Sequence, residues 1–131
     1  EEGAAKGAYV LSDAQNPQAI LLATGSEVHI ALAAQTRLAE QGVATRVVSM
    51  PSWELFAAQD AAYQESVLPK SITARVSIEA GVVLGWERYL GFDGVALGLN
   101  RYGASAPHKI IYEKLGLTPE AVVEAVQSLM K

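Results

Sequence analysis

A run of strand length, Ile20-Leu21-Leu22-Ala23, is followed by the turn Thr24-Gly25-Ser26-Glu27, a segment of helical period reaching Gln41, then Gly42 and a second apolar run from Ala44 to Met50. This is the pattern of one strand, helix, strand unit. Strands so apolar need cover on both faces and partners for their backbone groups, so the rest of the chain must supply further strands and covering helices. At 131 residues the chain suits one α/β domain with one core region, burying about two thirds of its unfolded surface.

Tyr9-Val10-Leu11 reads as a strand and Ser12 to Gln18, with Asp13, Asn16 and Pro17, as a turn. Seven residues cannot hold a parallel crossover, so the first strand is expected to run antiparallel to its neighbours. Thr24 and Glu27 have capping-box spacing. The helix after them places Val28, Ala31, Leu32, Leu38 and Ala39 on one face, with Gly42 as a left-handed cap. A third strand runs from Thr45 to Met50 and stops at Pro51. Ser52 and Asp60 are expected caps of two short helices. Thr73 to Glu79 reads as a fourth strand, a short helical piece surrounds Trp86 to Tyr89, and Asp93-Gly94 leads into a fifth strand, Val95 to Leu99. Two helices are expected beyond it, one from Pro107 to Gly116 and one from Thr118-Pro119 with a Val122, Val123, Val126, Leu129 stripe.

The net charge of −4 arises from 14 acidic and 10 basic residues, the latter set singly, so nucleic acid is not an expected partner. Cysteine is absent, which removes disulfides, thiolate metal sites and cysteine nucleophiles and suits a reducing cytoplasm. No apolar stretch reaches the roughly 18 to 20 residues of a membrane span, and the N-terminus lacks the order of a signal peptide. The opening residues, Glu1 to Gly7, read as linker, and a start at Glu1 rather than methionine suggests a piece of a longer polypeptide.

Several positions could carry chemistry. Thr24, Gly25 and Ser26 lie between a strand and a helix, where backbone N-H groups can hold an anion. Against that, the turn has one glycine, no following lysine, and Glu27 at the same end, so it meets neither the P-loop nor the dinucleotide pattern. Gly103-Ala104-Ser105-Ala106-Pro107 departs from a nucleophile elbow at its second glycine, and no residue identifies itself as the group orienting His108, so helix entry explains Ser105 and Pro107 more simply. His29 and His108 lack partners at metal spacing. Glu79, at a strand's carboxyl end, is the best single carboxylate, although such a group is more often a cap or an interface partner. Trp53, Phe56, Tyr63, Trp86, Tyr89 and Phe92 are expected to be mostly core. No self-sufficient catalytic site emerges.

Ala23-Thr24-Gly25-Ser26-Glu27-Val28, Ser49-Met50-Pro51-Ser52-Trp53-Glu54-Leu55-Phe56, Gln59-Asp60-Ala61-Ala62-Tyr63, Glu65-Ser66-Val67-Leu68-Pro69, Ser77-Ile78-Glu79-Ala80-Gly81 with Gly85-Trp86, and Tyr102-Gly103-Ala104-Ser105-Ala106-Pro107 occur in that order. Together they resemble the C-terminal domain of transketolase, over nearly the whole chain. Leu99-Asn100-Arg101-Tyr102 departs from that pattern, where a threonine and a phenylalanine are expected. The resemblance implies residues 8–131 as this domain, a three-layer α/β/α fold, and a five-stranded mixed sheet whose first strand is antiparallel. It implies a parent enzyme that moves a two-carbon ketol unit from a ketose phosphate to an aldose phosphate, with thiamine diphosphate and a divalent metal such as magnesium.

In that family the cofactor and substrate-phosphate residues belong to the N-terminal and middle domains of a homodimer. The expectation for this chain is therefore no catalytic, cofactor or metal residue, and a structural and interaction role in a cytoplasmic enzyme. Thr24, Gly25 and Ser26 are where a regulatory anion would be sought. Dihydroxyacetone synthase is an alternative parent, a stand-alone anion or nucleotide-binding module is an alternative from another class, and a serine hydrolase using Ser105 is a more distant one.

Overall fold

The computed structural model describes residues 5–79, 87–91, 94–98, 109–112 and 118–130. Its strands are β1 (Tyr9–Ser12), β2 (Ala19–Ala23), β3 (Thr45–Ser49), β4 (Arg75–Ile78), β5 (Val95–Gly98) and β6 (Lys109–Tyr112). Its helices are α1 (Val28–Glu40), α2 (Trp53–Ala57), α3 (Ala61–Val67), α4 (Glu87–Leu90) and α5 (Pro119–Leu129). The sheet order is β1-β3-β2-β4-β5-β6. β1 pairs antiparallel with β3 and every other pairing is parallel, as the short turn after β1 requires.

The five expected strands are all present, and a sixth, β6, extends the sheet beside β5. That strand corrects the helix expected from Pro107 to Gly116. Ile110-Ile111-Tyr112 is β-favouring, and a proline and a glycine bracketing ten residues imitate the ends of a helix. Ser105, Pro107, His108, Trp86 and Phe92 lie outside the described residues.

All five residues of β2 are fully buried because the strand is central and covered on both faces. Its side chains alternate between two apolar layers. Ala19, Leu21 and Ala23 join Val47, Val76, Ile78, Val95 and Leu97 under α1 and α5. Ile20 and Leu22 join Val48, Met50, Phe56, Leu68, Tyr89 and Ala96 under α2, α3 and α4. This is the expected α/β/α layering. The second layer contains an aromatic cluster in which Phe56 lies 6.2 Å from Tyr63 and 5.8 Å from Tyr89, and Trp53 lies edge-on to Tyr89 at 5.9 Å between ring centroids.

Ser52, Asp60 and Thr118 cap α2, α3 and α5 by accepting the N-H of Leu55, Tyr63 and Ala121. After α1, Gly42 has φ +83°, its N-H reaches Ala39 O, and the Val43 N-H reaches Leu38 O, which is the expected left-handed termination. The α1 inner face is Ile30, Ala31, Ala34 and Leu38, flanked by Val28 and Leu32, whereas Ala39 is exposed. Ala39 turns outward because the helix presents the Ile30-Ala34-Leu38 line to the sheet.

Lys6, Gly7 and Ala8 make contacts with α2 and α3. Gly7 accepts the Ser52 N-H at 3.0 Å, the Tyr63 hydroxyl donates to Ala8 O at 2.8 Å, and the Lys6 ammonium lies 4.5 Å from the centre of the Tyr63 ring. Among the described residues no helix is long and apolar enough to cross a membrane.

Candidate functional site

The carboxyl ends of β2 and β4 are neighbours because the two strands pair in parallel, Ala23 opposite Ile78. One residue further along each strand come Thr24 and Glu79, the two positions of chemical interest on these strands. Their side chains meet: the Thr24 hydroxyl donates to Glu79 Oε1 at 2.8 Å, and both residues are half-buried. The Glu79 N-H in turn donates to Leu97 O at 3.1 Å, which ties the same residue to β5.

This contact changes the meaning of Thr24. The expected capping box is not formed by its side chain; Thr24 precedes a 3-10 turn, Gly25–Glu27, makes no side-chain cap bond, and only its carbonyl takes the Glu27 N-H, at 3.1 Å. The spacing suits a cap, but the hydroxyl is turned to donate to the Glu79 carboxylate of the neighbouring strand, and its oxygen takes no N-H of the turn. Gly25 is exposed at φ +53° with no heavy atom within 4 Å of an added Cβ, so the turn itself is open.

The arrangement is suited to locking β2, β4 and β5 at one end of the sheet. Replacing Thr24 by valine should keep the shape, remove the donor to Glu79, and lower stability by about 1 kcal/mol. Urea unfolding of Thr24→Val beside Thr24→Ser, which keeps the hydroxyl, would check this; equal losses would point to packing instead.

Other carboxylates are engaged separately. Asp13 makes two bonds to Arg46, at 3.0 Å to both Nε and Nη2, and the bond to the guanidinium holds its pKa below the ordinary value. Glu120 is joined to Arg37, which lowers its pKa in the same way. Among the described residues no three His, Cys, Asp or Glu side chains come together as a metal would require. Among the described residues these scattered carboxylates do not form a seat for a diphosphate and its divalent metal.

A family model described as the transketolase-like TK C-terminal domain matches residues 7–118. The chloroplastic transketolase of Solanum tuberosum is 50% identical over 131 residues, covering 98% of this chain and 18% of the relative. Transketolase from Leishmania mexicana superposes with a TM-score of 0.81 at 41% identity, over 98% of this chain and 18% of that one. A split-gene transketolase, described as an inactive beta4 tetramer, has a TM-score of 0.67 at 25% identity, over 96% of this chain and 42% of that chain. The chain thus spans about a fifth of the length of the curated relative quoted, and neither dihydroxyacetone synthase nor a stand-alone binding module is favoured by these likenesses. With a family match from Gly7 onward and the same layers and strand directions as expected, the chain belongs to the transketolase C-terminal domain family.

Proposed function

We propose that this chain is the non-catalytic, structural C-terminal part of a thiamine diphosphate-dependent transketolase, a homodimeric cytoplasmic enzyme of the pentose phosphate pathway. The observation that carries this reading is the proportion of the match: nearly all of this chain corresponds to about a fifth of the relative. The N-terminal and middle domains of the same polypeptide are its partners. They supply the seat for thiamine diphosphate and magnesium, for which the scattered carboxylates described above are unsuited. When bound, the cofactor supplies carbanion stabilisation for two-carbon transfer from a ketose phosphate to an aldose phosphate. No residue of this chain is given a step in that transfer. Thr24, Gly25 and Ser26 are proposed as a junction between strands rather than as an anion site, a reading supported by the bond from Thr24 to Glu79.

A ketol-transfer assay with thiamine diphosphate and magnesium tests the proposal, on this chain alone and on the same chain joined to N-terminal and middle domains of a transketolase. The expected result is turnover only in the joined polypeptide. Turnover by the 131-residue chain alone, at a rate comparable with the joined form, would overturn it.

A further inference from the structure

The layer of α2, α3 and α4 contains a cleft of about 540 Å³, remote from the carboxyl ends of the strands and lined in part by Lys70, Arg75 and Arg88. We propose that it is a binding site for a small oxyanion, a phosphate group carried on a compact apolar body. The sequence sets these cations apart, and the fold gathers three of the chain's ten basic residues.

Arg75 does the gathering. Its Nη2 donates to Leu68 O at 3.3 Å and Pro69 O at 2.8 Å, immediately before Lys70. Its Nη1 donates to Tyr89 O at 2.7 Å, immediately after Arg88. Nε donates to Ile72 O at 2.9 Å. The guanidinium therefore cross-links the two segments that carry the other cations. Its own acceptors are neutral carbonyls, so its charge is not cancelled by a contacting carboxylate; burial lowers its pKa and the nearby Glu65 opposes that effect.

Lys70 and Arg88 are exposed at the rim, and among the described residues neither has a carboxylate partner. Arg88 lies over the Tyr89 ring at 5.9 Å. Among the described residues one carboxylate lines the cleft, that of Glu65, which already accepts the Lys70 backbone N-H at 3.1 and 3.3 Å. Below the rim, Phe56, Leu68 and Tyr89 form an apolar floor. Clefts of this size with an apolar base and a few charged groups are the usual form of small-molecule sites, and two exposed cations beside a third set the sign of the ligand. The floor favours an organic phosphate over the bare ion.

The test is a titration of this chain with phenyl phosphate and with inorganic phosphate at constant ionic strength, followed by backbone amide NMR. Saturable shifts centred on Lys70, Arg88 and Tyr89 are expected, with phenyl phosphate binding several-fold more tightly. The double variant Lys70→Gln/Arg88→Gln, both exposed and therefore compatible with folding, should lose at least tenfold in affinity. Arg37→Gln, a charge change on the opposite layer, should leave it unaltered. Shifts that do not saturate, equal affinity for the two probes, or equal losses in the double variant and Arg37→Gln would overturn the proposal.

Discussion

Gly7→Val, at a buried position against α2, should be strongly damaging, lowering unfolding stability by about 4 kcal/mol, the range reserved for backbone clashes and strained dihedrals. A Cβ at Gly7 would stand 2.3 Å from both Phe56 N and Ser52 O, and 2.9 Å from Leu55 C, all of them backbone atoms that cannot swing aside. The residue also sits at φ +92°, where a β-branched side chain is strained whatever the space. Relief would require the segment to leave α2, giving up the bond between Gly7 and Ser52 and the one between Ala8 and Tyr63. Gly42→Ala is the control. Gly42 shares the positive φ, +83°, but has nothing within 4 Å of an added Cβ, so only the conformational cost of about 1 kcal/mol applies. Urea unfolding of the two variants separates the terms; equal losses would show that crowding at Gly7 is relieved by a small local shift.

The second large effect is expected at Arg75. Arg46 and Arg75 flank Ile20 in register on the neighbouring strands, β3 and β4. Arg46 Nη1 donates to Ser66 O at 2.9 Å and Val67 O at 3.0 Å, and Arg75 Nη2 takes the next two carbonyls, those of Leu68 and Pro69. Between them the two guanidinium groups satisfy the Ser66, Val67 and Leu68 carbonyls at the end of α3 and share the Pro69 carbonyl with the Ile72 N-H. Arg75→Met should keep the aliphatic stem, remove four hydrogen bonds, and cost about 3 kcal/mol, since charged bonds contribute more than neutral ones but water can reach part of the vacated site. Arg75→Lys should recover less than half of that, because an ammonium cannot reproduce the planar fork. Thermal or urea unfolding of both variants checks the order; full rescue by lysine would mean that charge alone holds α3.

Neither arginine could have been assigned this role from its neighbours in sequence. Their partners are fixed by which strands lie beside Ile20 and by where α3 ends, and both are properties of the assembled sheet. Strands β1 to β5 were readable because runs such as Ile20-Leu21-Leu22-Ala23 can be placed nowhere but inside a covered sheet. The antiparallel start was readable because chain length alone rules out a crossover. β6 was missed where two local rules competed and the proline and glycine outweighed Ile110 and Ile111. The candidate site was half legible. Thr24 and Glu79 were each singled out, but one was read as a cap and the other as a lone carboxylate, because their hydrogen bond joins residues 55 apart in sequence.

The order β1-β3-β2-β4-β5-β6 also means that the chain moves one way from β2 to β3 and then returns to add β4 on the other side, with α1 on one face and α2 and α3 on the other. Doubly wound sheets divide at such a reversal, and the crevice at the carboxyl ends of the two parting strands is where these folds customarily admit a ligand. Here the parting strands are β2 and β4, and the first side chains beyond them are Thr24 and Glu79, bonded across the gap. The domain keeps the plan of a ligand-binding fold and, at the point where that plan divides, ties the two parting strands to one another side chain to side chain.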